Sequence, residues 1–167
     1  MNAIEARLSE RLSGANGLLL VVCLAQFMVI LDVSIVNVAL PSMRAGLHFS
    51  TTGLQWVVNA YTLTFAGLLM LGGRSADLLG RRRVLLVGTA MFALSSLACA
   101  LAASRGLLIG ARAVQGLSGA VMSPATLSII TSTLPQGPQR NRGLALWGAT
   151  AAVSSIAALV MGVFLAG

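Results

Sequence analysis

Two charged residues, Asp32 and Arg112, lie inside long apolar stretches of the sequence. A charged side chain is costly at membrane depth, and those that occur there usually face a protein interior or a water-filled cavity. Each is therefore a candidate functional residue. The chemistry open to them is an ion pair, direct or bridged by water, or two separate charges that each face an aqueous cavity or extend outward to the surface.

The depth of the two charges follows from their distance to the ends of their apolar segments. Asp32 lies about 15 residues, roughly 22 Å, from Gly17 at one surface. Arg112 lies about 10 Å from Arg105 at the opposite surface. In a hydrocarbon core about 30 Å thick the two residues are at similar depth. A direct pair is therefore geometrically possible, and the alternatives remain open.

Polar and small residues share helical faces near these charges. On the segment that holds Arg112, one face carries Gln115, Gly116, Gly119 and Ser123. Small residues beside a guanidinium leave room for a ligand or for a close helix. Two further stripes are Gln26, Val33 and Asn37, and Gln55, Asn59 and Thr62. Together they favour a water-accessible interior, although hydrogen bonds between helices, worth about 0.6 kcal/mol each, are an alternative explanation.

A last stripe, at a period of four, carries only small residues. Its members are Ser154, Ala158, Gly162 and Ala166. Small residues at this spacing let two membrane helices approach closely. The stripe predicts a helix-packing surface.

Composition decides the class of protein. Of 167 residues, 57% are hydrophobic and only 9% are charged, against about 25% in an average soluble domain. The net charge of +7 comes from arginines in short gaps between apolar runs, which argues against a nucleic-acid-binding face. Cys23 and Cys99 form no metal-binding pattern, and no catalytic or cofactor motif is present. The sequence predicts an all-α polytopic membrane protein that is not an enzyme and takes no metal or cofactor.

The apolar runs divide the chain into a tail and about five transmembrane helices. A polar cytoplasmic tail is predicted for residues 1–16, and Pro41 is expected to end the first helix. A short polar loop is expected over residues 72–83. The predicted helices cover residues 17–40, 53–72, 83–103, 106–131 and 143–167.

Arginine distribution predicts the orientation. With the N-terminus inside, the outer side holds only Arg44 and Arg105. Positive residues mark cytoplasmic loops, so the N-terminus is expected in the cytoplasm of a multi-pass protein of the plasma membrane. The inner side holds Arg7, Arg11, Arg74, Arg81, Arg82, Arg83, Arg140 and Arg142.

Three segments together resemble a known family, the major facilitator superfamily. Residues 73–83 (GRSADLLGRRR) are similar to the signature between its second and third helices. Residues 31–41 (LDVSIVNVALP) resemble the first-helix motif of the 14-helix drug:proton antiporter branch, and residues 109–120 (IGARAVQGLSGA) resemble its fourth-helix motif. In the fifth helix, Val163 stands where the antiporter motif of the family has a proline.

The resemblance implies a role for each group of residues. Asp32, Asn37, Arg112 and Gln115 would serve proton coupling or substrate binding. A cytoplasmic gating loop would consist of Gly73, Asp77, Gly80, Arg81, Arg82 and Arg83. The stripes of small residues, independently of the resemblance, predict that Gly116, Gly119, Ala158 and Gly162 pack helices together.

The resemblance also implies an incomplete transporter. The family has 12 or 14 helices in two six-helix halves, so five helices would be an N-terminal fragment that lacks the C-terminal helices. Its partners would be the lipid bilayer, a small-molecule substrate and protons, with no nucleic acid. The expected function is proton-coupled efflux of drugs or other hydrophobic or cationic molecules. The alternatives are a metabolite symporter, and a non-transporting membrane subunit or defunct fragment.

Overall fold

The computed structural model describes residues 3–166, and the side chains of residues 16–161. This part of the chain is all-helical, as predicted. It contains five helices: α1 (Ala3–Leu47), α2 (Thr51–Leu79), α3 (Arg81–Ala100), α4 (Arg105–Thr133) and α5 (Pro138–Ala166). Within the described residues, each of these helices holds a segment long and apolar enough to cross a membrane.

Short connections join the helices, so neighbours in sequence run in opposite directions. We call the end of the bundle with the α1–α2 connection the His48 end, and the end with the α2–α3 connection the Gly80 end. Ser50 and Ser104 begin α2 and α4 at the His48 end, where each serine hydroxyl accepts a hydrogen bond from a backbone N–H three residues on. These caps satisfy N–H groups that the first turn of a helix leaves unpaired.

The most buried helix is α4, which packs against both α2 and α3, while α1 packs against α5 and α4. A hydrophobic cluster joins α1 to α4 through residues that include Val22, Val29, Met122 and Ile130. Ridges of side chains at i, i+3 and i+4 spacing supply these contacts. The central position of α4 places its polar residues inside the bundle.

The structure extends α1 beyond its predicted bounds. It continues through Pro41 to Leu47, and at the other end it begins at Ala3, within the predicted tail. Pro124 likewise lies inside α4 and does not end it. In a membrane-spanning segment a proline removes one backbone hydrogen bond, whereas leaving the helix would free several backbone groups in an apolar medium.

The predicted loop over residues 72–83 is almost wholly helical. α2 continues to Leu79 and α3 begins at Arg81, so that Gly80 alone separates them, with φ 92° and ψ 123°. Glycine adopts this positive φ without steric cost. Gly72 stays helical because its bare Cα packs directly against the Ala120 carbonyl of α4. Close packing here outweighs the low helix propensity of glycine.

Arg105 holds the His48 end together. Its Nε donates to the Leu47 carbonyl at 2.9 Å and its Nη2 donates to the His48 carbonyl at 2.6 Å. The guanidinium carbon lies 5.9 Å from the centre of the Phe49 ring. A side chain at the start of α4 therefore caps the C-terminal end of α1, where helix carbonyls carry a partial negative charge.

We expect Arg105→Ala to lower the free energy of unfolding by about 1–2 kcal/mol, because two charge-assisted hydrogen bonds at an exposed site are lost. Unfolding in mixed detergent micelles measures this change. Arg105→Lys keeps the charge but not the planar guanidinium group, and an intermediate free energy of unfolding is expected. Equal stability of the alanine variant and the parent protein would contradict the capping role.

Candidate functional site

Asp32, Arg112 and Gln115 form a closed cluster of hydrogen bonds between α1 and α4. Arg112 Nη1 donates to Asp32 Oδ2 at 2.5 Å and to Gln115 Oε1 at 2.8 Å. Gln115 Nε2 donates to Asp32 Oδ1 at 2.7 Å. Both carboxylate oxygens therefore have a partner. The structure thus resolves the alternatives for the two intramembrane charges in favour of a direct ion pair.

The Arg112 side chain is almost fully enclosed, at 2% exposure, and Asp32 is 12% exposed. Taking charges out of water costs several kcal/mol per ion, and their attraction offsets this only when the remaining polar atoms are hydrogen-bonded. In the cluster, Arg112 Nη1 and both carboxylate oxygens of Asp32 have hydrogen-bond partners. A proton taken up by Asp32 would remove its charge and disturb both contacts, so the cluster can link protonation to the packing of α1 on α4.

Residues from α2 and α3 surround the cluster. Arg112 Nε points to the Val57 carbonyl at 3.4 Å, and its guanidinium carbon lies 4.4 Å from the centre of the Tyr61 ring. The Cys99 thiol of α3 contacts Gln115 Oε1 at 3.5 Å. The guanidinium thus contacts both a carboxylate of α1 and an aromatic ring of α2.

Two glycines of α4 allow α2 to pack close to Arg112. A Cβ at Gly116 would overlap the Tyr61 carbonyl and the Thr64 hydroxyl. A Cβ at Gly119 would lie 3.1 Å from the Tyr61 hydroxyl and 3.2 Å from the Phe65 ring. The small residues beside Arg112 therefore accommodate a close helix, which is one of the two explanations that the sequence allowed.

Asn37 does not join the cluster. It is exposed, and its Nδ2 donates to the Val33 carbonyl one turn earlier on α1. The polar residues of α2 are exposed as well, namely Gln55, Asn59 and Thr62. These side chains lie on the outer faces of membrane-length helices and not between the five helices.

The residues predicted as a gating loop lie at the Gly80 end, far along the helices from the ion pair. Asp77 and Arg81 form an exposed pair at 3.7 Å, one turn apart across Gly80. Arg82 and Arg83 are exposed, and a Cβ at Gly73 would contact Pro124 of α4 at 3.7 Å. An exposed pair of this kind contributes about 0–1 kcal/mol, so these side chains are free to change partners.

The stripe of small residues on α5 faces α1. Ser154 is fully buried and its hydroxyl approaches the Phe27 carbonyl at 3.2 Å, while Ala158 is 1% exposed. Gly162 falls in the last turns of α5, outside the residues whose surroundings the structure describes. In the described part of the stripe, small side chains allow the close contact of α5 with α1.

Tyr61 and Cys99 contact the cluster but were not among the predicted site residues. Tyr61 is the sole tyrosine of the sequence, and it lies two residues from Asn59 in an apolar helix. Aromatic rings attract buried cations, which is the signal that could have identified it. Among the described residues, no group of three His, Cys, Asp or Glu side chains could hold a metal ion.

Comparison with known proteins gives consistent matches. The protein-family model described as Major Facilitator Superfamily matches residues 22–167. The chain is 46% identical over 154 residues to "Cephamycin export protein CmcT" of Amycolatopsis lactamdurans, which covers 92% of this chain and 32% of that protein. It is 42% identical over 144 residues to "Puromycin resistance protein pur8" of Streptomyces alboniger, covering 86% and 29% respectively.

A third relative and a solved structure extend these matches. The chain is 44% identical over 146 residues to "Lincomycin resistance protein" of Streptomyces lincolnensis, covering 85% and 28%. A crystal structure of a bacterial homolog of the human lysosomal transporter Spinster superposes with a TM-score of 0.76 at 21% identity, over 88% of this chain and 32% of that one. This likeness shows the fold. The chain spans about a third of the length of the relatives that it matches.

Proposed function

The chain belongs to the major facilitator superfamily, and from that premise we propose that it forms the first five helices of a proton-coupled exporter of small drug-like molecules. By name, the three relatives are export or resistance proteins. They do not favour the metabolite symporter or the non-transporting subunit. Because the chain matches about a third of each relative, we propose that further helices complete the transporter.

The buried ion pair between Asp32 and Arg112 is the observation that carries the proposal. Membrane proteins rarely place charges at this depth unless an ion or substrate pathway requires them. Asp32 is a group that can bind and release a proton, while Arg112 remains charged in both states. Protonation of Asp32 would weaken the contact of α1 with α4 and favour a different arrangement of the two helices.

Exposed polar residues on α1 and α2 support a central cavity. Asn37, Asn59 and Thr62 would be poorly placed against lipid, since they present amide and hydroxyl groups on membrane-length helices. In this superfamily the substrate site lies near the middle of the membrane, between the two halves of the transporter. We propose that these residues line that cavity and that further helices cover its other side.

The Gly80 end is proposed to face the cytoplasm, in the plasma membrane. Arginine is concentrated at this end, in the α2–α3 and α4–α5 connections, and positive residues accumulate on the cytoplasmic side. Asp77 and Arg81 form a weak exposed pair there. We propose that this pair exchanges partners with the second half of the transporter as the cavity opens and closes.

Transport in inside-out membrane vesicles that contain the complete gene product tests the proposal. With the vesicle interior acidic, protons leave as substrate enters, and we expect accumulation of a cationic dye that a protonophore abolishes. Accumulation that needs the opposite proton gradient would indicate symport and contradict the proposal. Failure of every proton gradient to drive uptake would contradict proton coupling.

Asp77→Asn is a useful variant in the same assay. We expect at least a tenfold loss of dye accumulation, because a neutral amide cannot form the ion pairs that are proposed to exchange during transport. Membrane insertion should stay normal, because an exposed ion pair contributes under about 1 kcal/mol to stability. Arg74→Gln serves as the control, since it removes an exposed charge from the same end of α2. Equal transport by the Asp77→Asn variant and the parent protein would contradict the gating role.

A further inference from the structure

Tyr61 holds an unusual position beside the ion pair. It is 5% exposed, and its ring centre lies 4.4 Å from the guanidinium carbon of Arg112. The other side of the residue is fixed, because its ring stacks on Phe65 at 5.8 Å and its backbone carbonyl rests on Gly116. The negatively polarised face of an aromatic ring attracts a cation within about 6 Å. Tyr61 therefore provides a contact to the Arg112 guanidinium in addition to that of Asp32.

The groups that face Arg112 come from every helix packed around it. α1 contributes Asp32, α2 contributes Tyr61 and the Val57 carbonyl, α3 contributes Cys99 near the cluster, and α4 itself contributes Gln115. Among these groups, Asp32 alone carries a negative charge. If Asp32 becomes neutral, the fixed positive charge of Arg112 keeps only the ring and neutral oxygens as partners, because a protonated carboxyl group still accepts hydrogen bonds but carries no charge.

We propose that Tyr61 is the positioning residue that holds Arg112 in place while Asp32 carries a proton. The ring matters most in that state, because a full counterion dominates the energy of Arg112 in the other state. Without the ring, a neutral Asp32 would leave a buried cation with little compensation, which is strongly unfavourable. The inference rests on the proposed proton coupling, but its test below measures unfolding and requires no transport.

The aromatic face and not the hydroxyl carries this role. The Tyr61 hydroxyl oxygen is buried and has no hydrogen-bond partner in the described part of the chain. Phenylalanine retains the ring face and removes only this group. Tyr61→Phe is therefore the matched control for Tyr61→Leu, which retains bulk and apolarity but has no ring.

A double-mutant cycle on the complete gene product in mixed detergent micelles tests the proposal. Asp32→Asn mimics the protonated carboxyl group. We expect Tyr61→Leu to increase the apparent equilibrium constant for unfolding by about tenfold more in the Asp32→Asn background than in the parent protein, as expected for a desolvated cation–π contact. Tyr61→Phe should have the same small effect in both backgrounds.

A third substitution separates the charge from packing. When Arg112→Met is added to the Asp32→Asn and Tyr61→Leu pair, the extra tenfold effect should disappear, because no cation remains to be held. Equal effects of Tyr61→Leu in both backgrounds would overturn the proposal. Failure of the Asp32→Asn/Tyr61→Leu variant to fold would support it if Arg112→Met restores folding, and would overturn it if Arg112→Met does not.

Discussion

Arg112→Met will destabilise the bundle by about 3–5 kcal/mol, because removing one partner of a buried ion pair leaves the other charge uncompensated. In this variant Asp32 keeps only the Gln115 amide as a partner within the cluster. The loss should appear as unfolding at lower SDS mole fraction in mixed micelles, and as reduced yield of folded protein.

The matched control for this prediction removes both charges. In the Asp32→Asn/Arg112→Gln double variant the four helices around the cluster contain no unpaired charge, and neutral amides replace the ionic contacts. Replacement of a buried ion pair by neutral groups is often close to neutral in stability. We expect the double variant to recover most of the lost stability but not to transport, because it has no carboxyl group at position 32 to bind a proton. A double variant less stable than Arg112→Met would contradict this account.

Gly116→Ala should have the second-largest effect, about 2–3 kcal/mol, because overfilling a packed contact forces the helix backbones apart. The added Cβ meets the Tyr61 carbonyl and the Thr64 hydroxyl, and a backbone carbonyl cannot rotate away as a long side chain can. Separation of α2 from α4 would also move the Tyr61 ring away from Arg112. Thermal unfolding in detergent and transport in vesicles should both decline.

Gly110→Ala is the control on the same helix. A Cβ at Gly110 would have no atom within 4 Å, so alanine there should be neutral or should stabilise the helix by up to about 1 kcal/mol. The difference between the two alanine variants isolates the cost of the close contact. If Gly116→Ala and Gly110→Ala have equal stability, the contact of α4 with α2 is not as close as described.

The sequence was sufficient to predict that Asp32 and Arg112 lie at one depth, because the rise of an α-helix is constant and the apolar segments have clear ends. The sequence did not show that Asn37 and Asp32 face different directions from α1. These residues are five positions apart on α1, which turns Asn37 about 140° away from the partner of Asp32. The depth of a residue in the membrane can be estimated by counting residues along its helix. The neighbour that its side chain faces depends on how the helices pack.

Dependence on tertiary packing also explains why the sequence wrongly predicted a loop over residues 72–83 and did not identify Tyr61. Gly72 and Gly73 suggest a loop by their intrinsic preference, but α2 continues through both, and Gly72 packs closely on α4. Tyr61 reaches Arg112 because Gly116 admits the backbone of α2, a contact between segments 55 residues apart. Inter-helix distances of this kind are set by tertiary packing, and no local pattern in one segment contains them.

The junction at Gly80 has a mechanical consequence. A single residue connects α2 to α3, so the two helices cannot move independently of each other at this end of the bundle. A force applied at Asp77 would tilt α3 as well as α2, and through α2 it would reach the aromatic ring that faces Arg112. Insertion of a few flexible residues at this junction would uncouple the movement of α3 from that of α2 while both helices stayed intact.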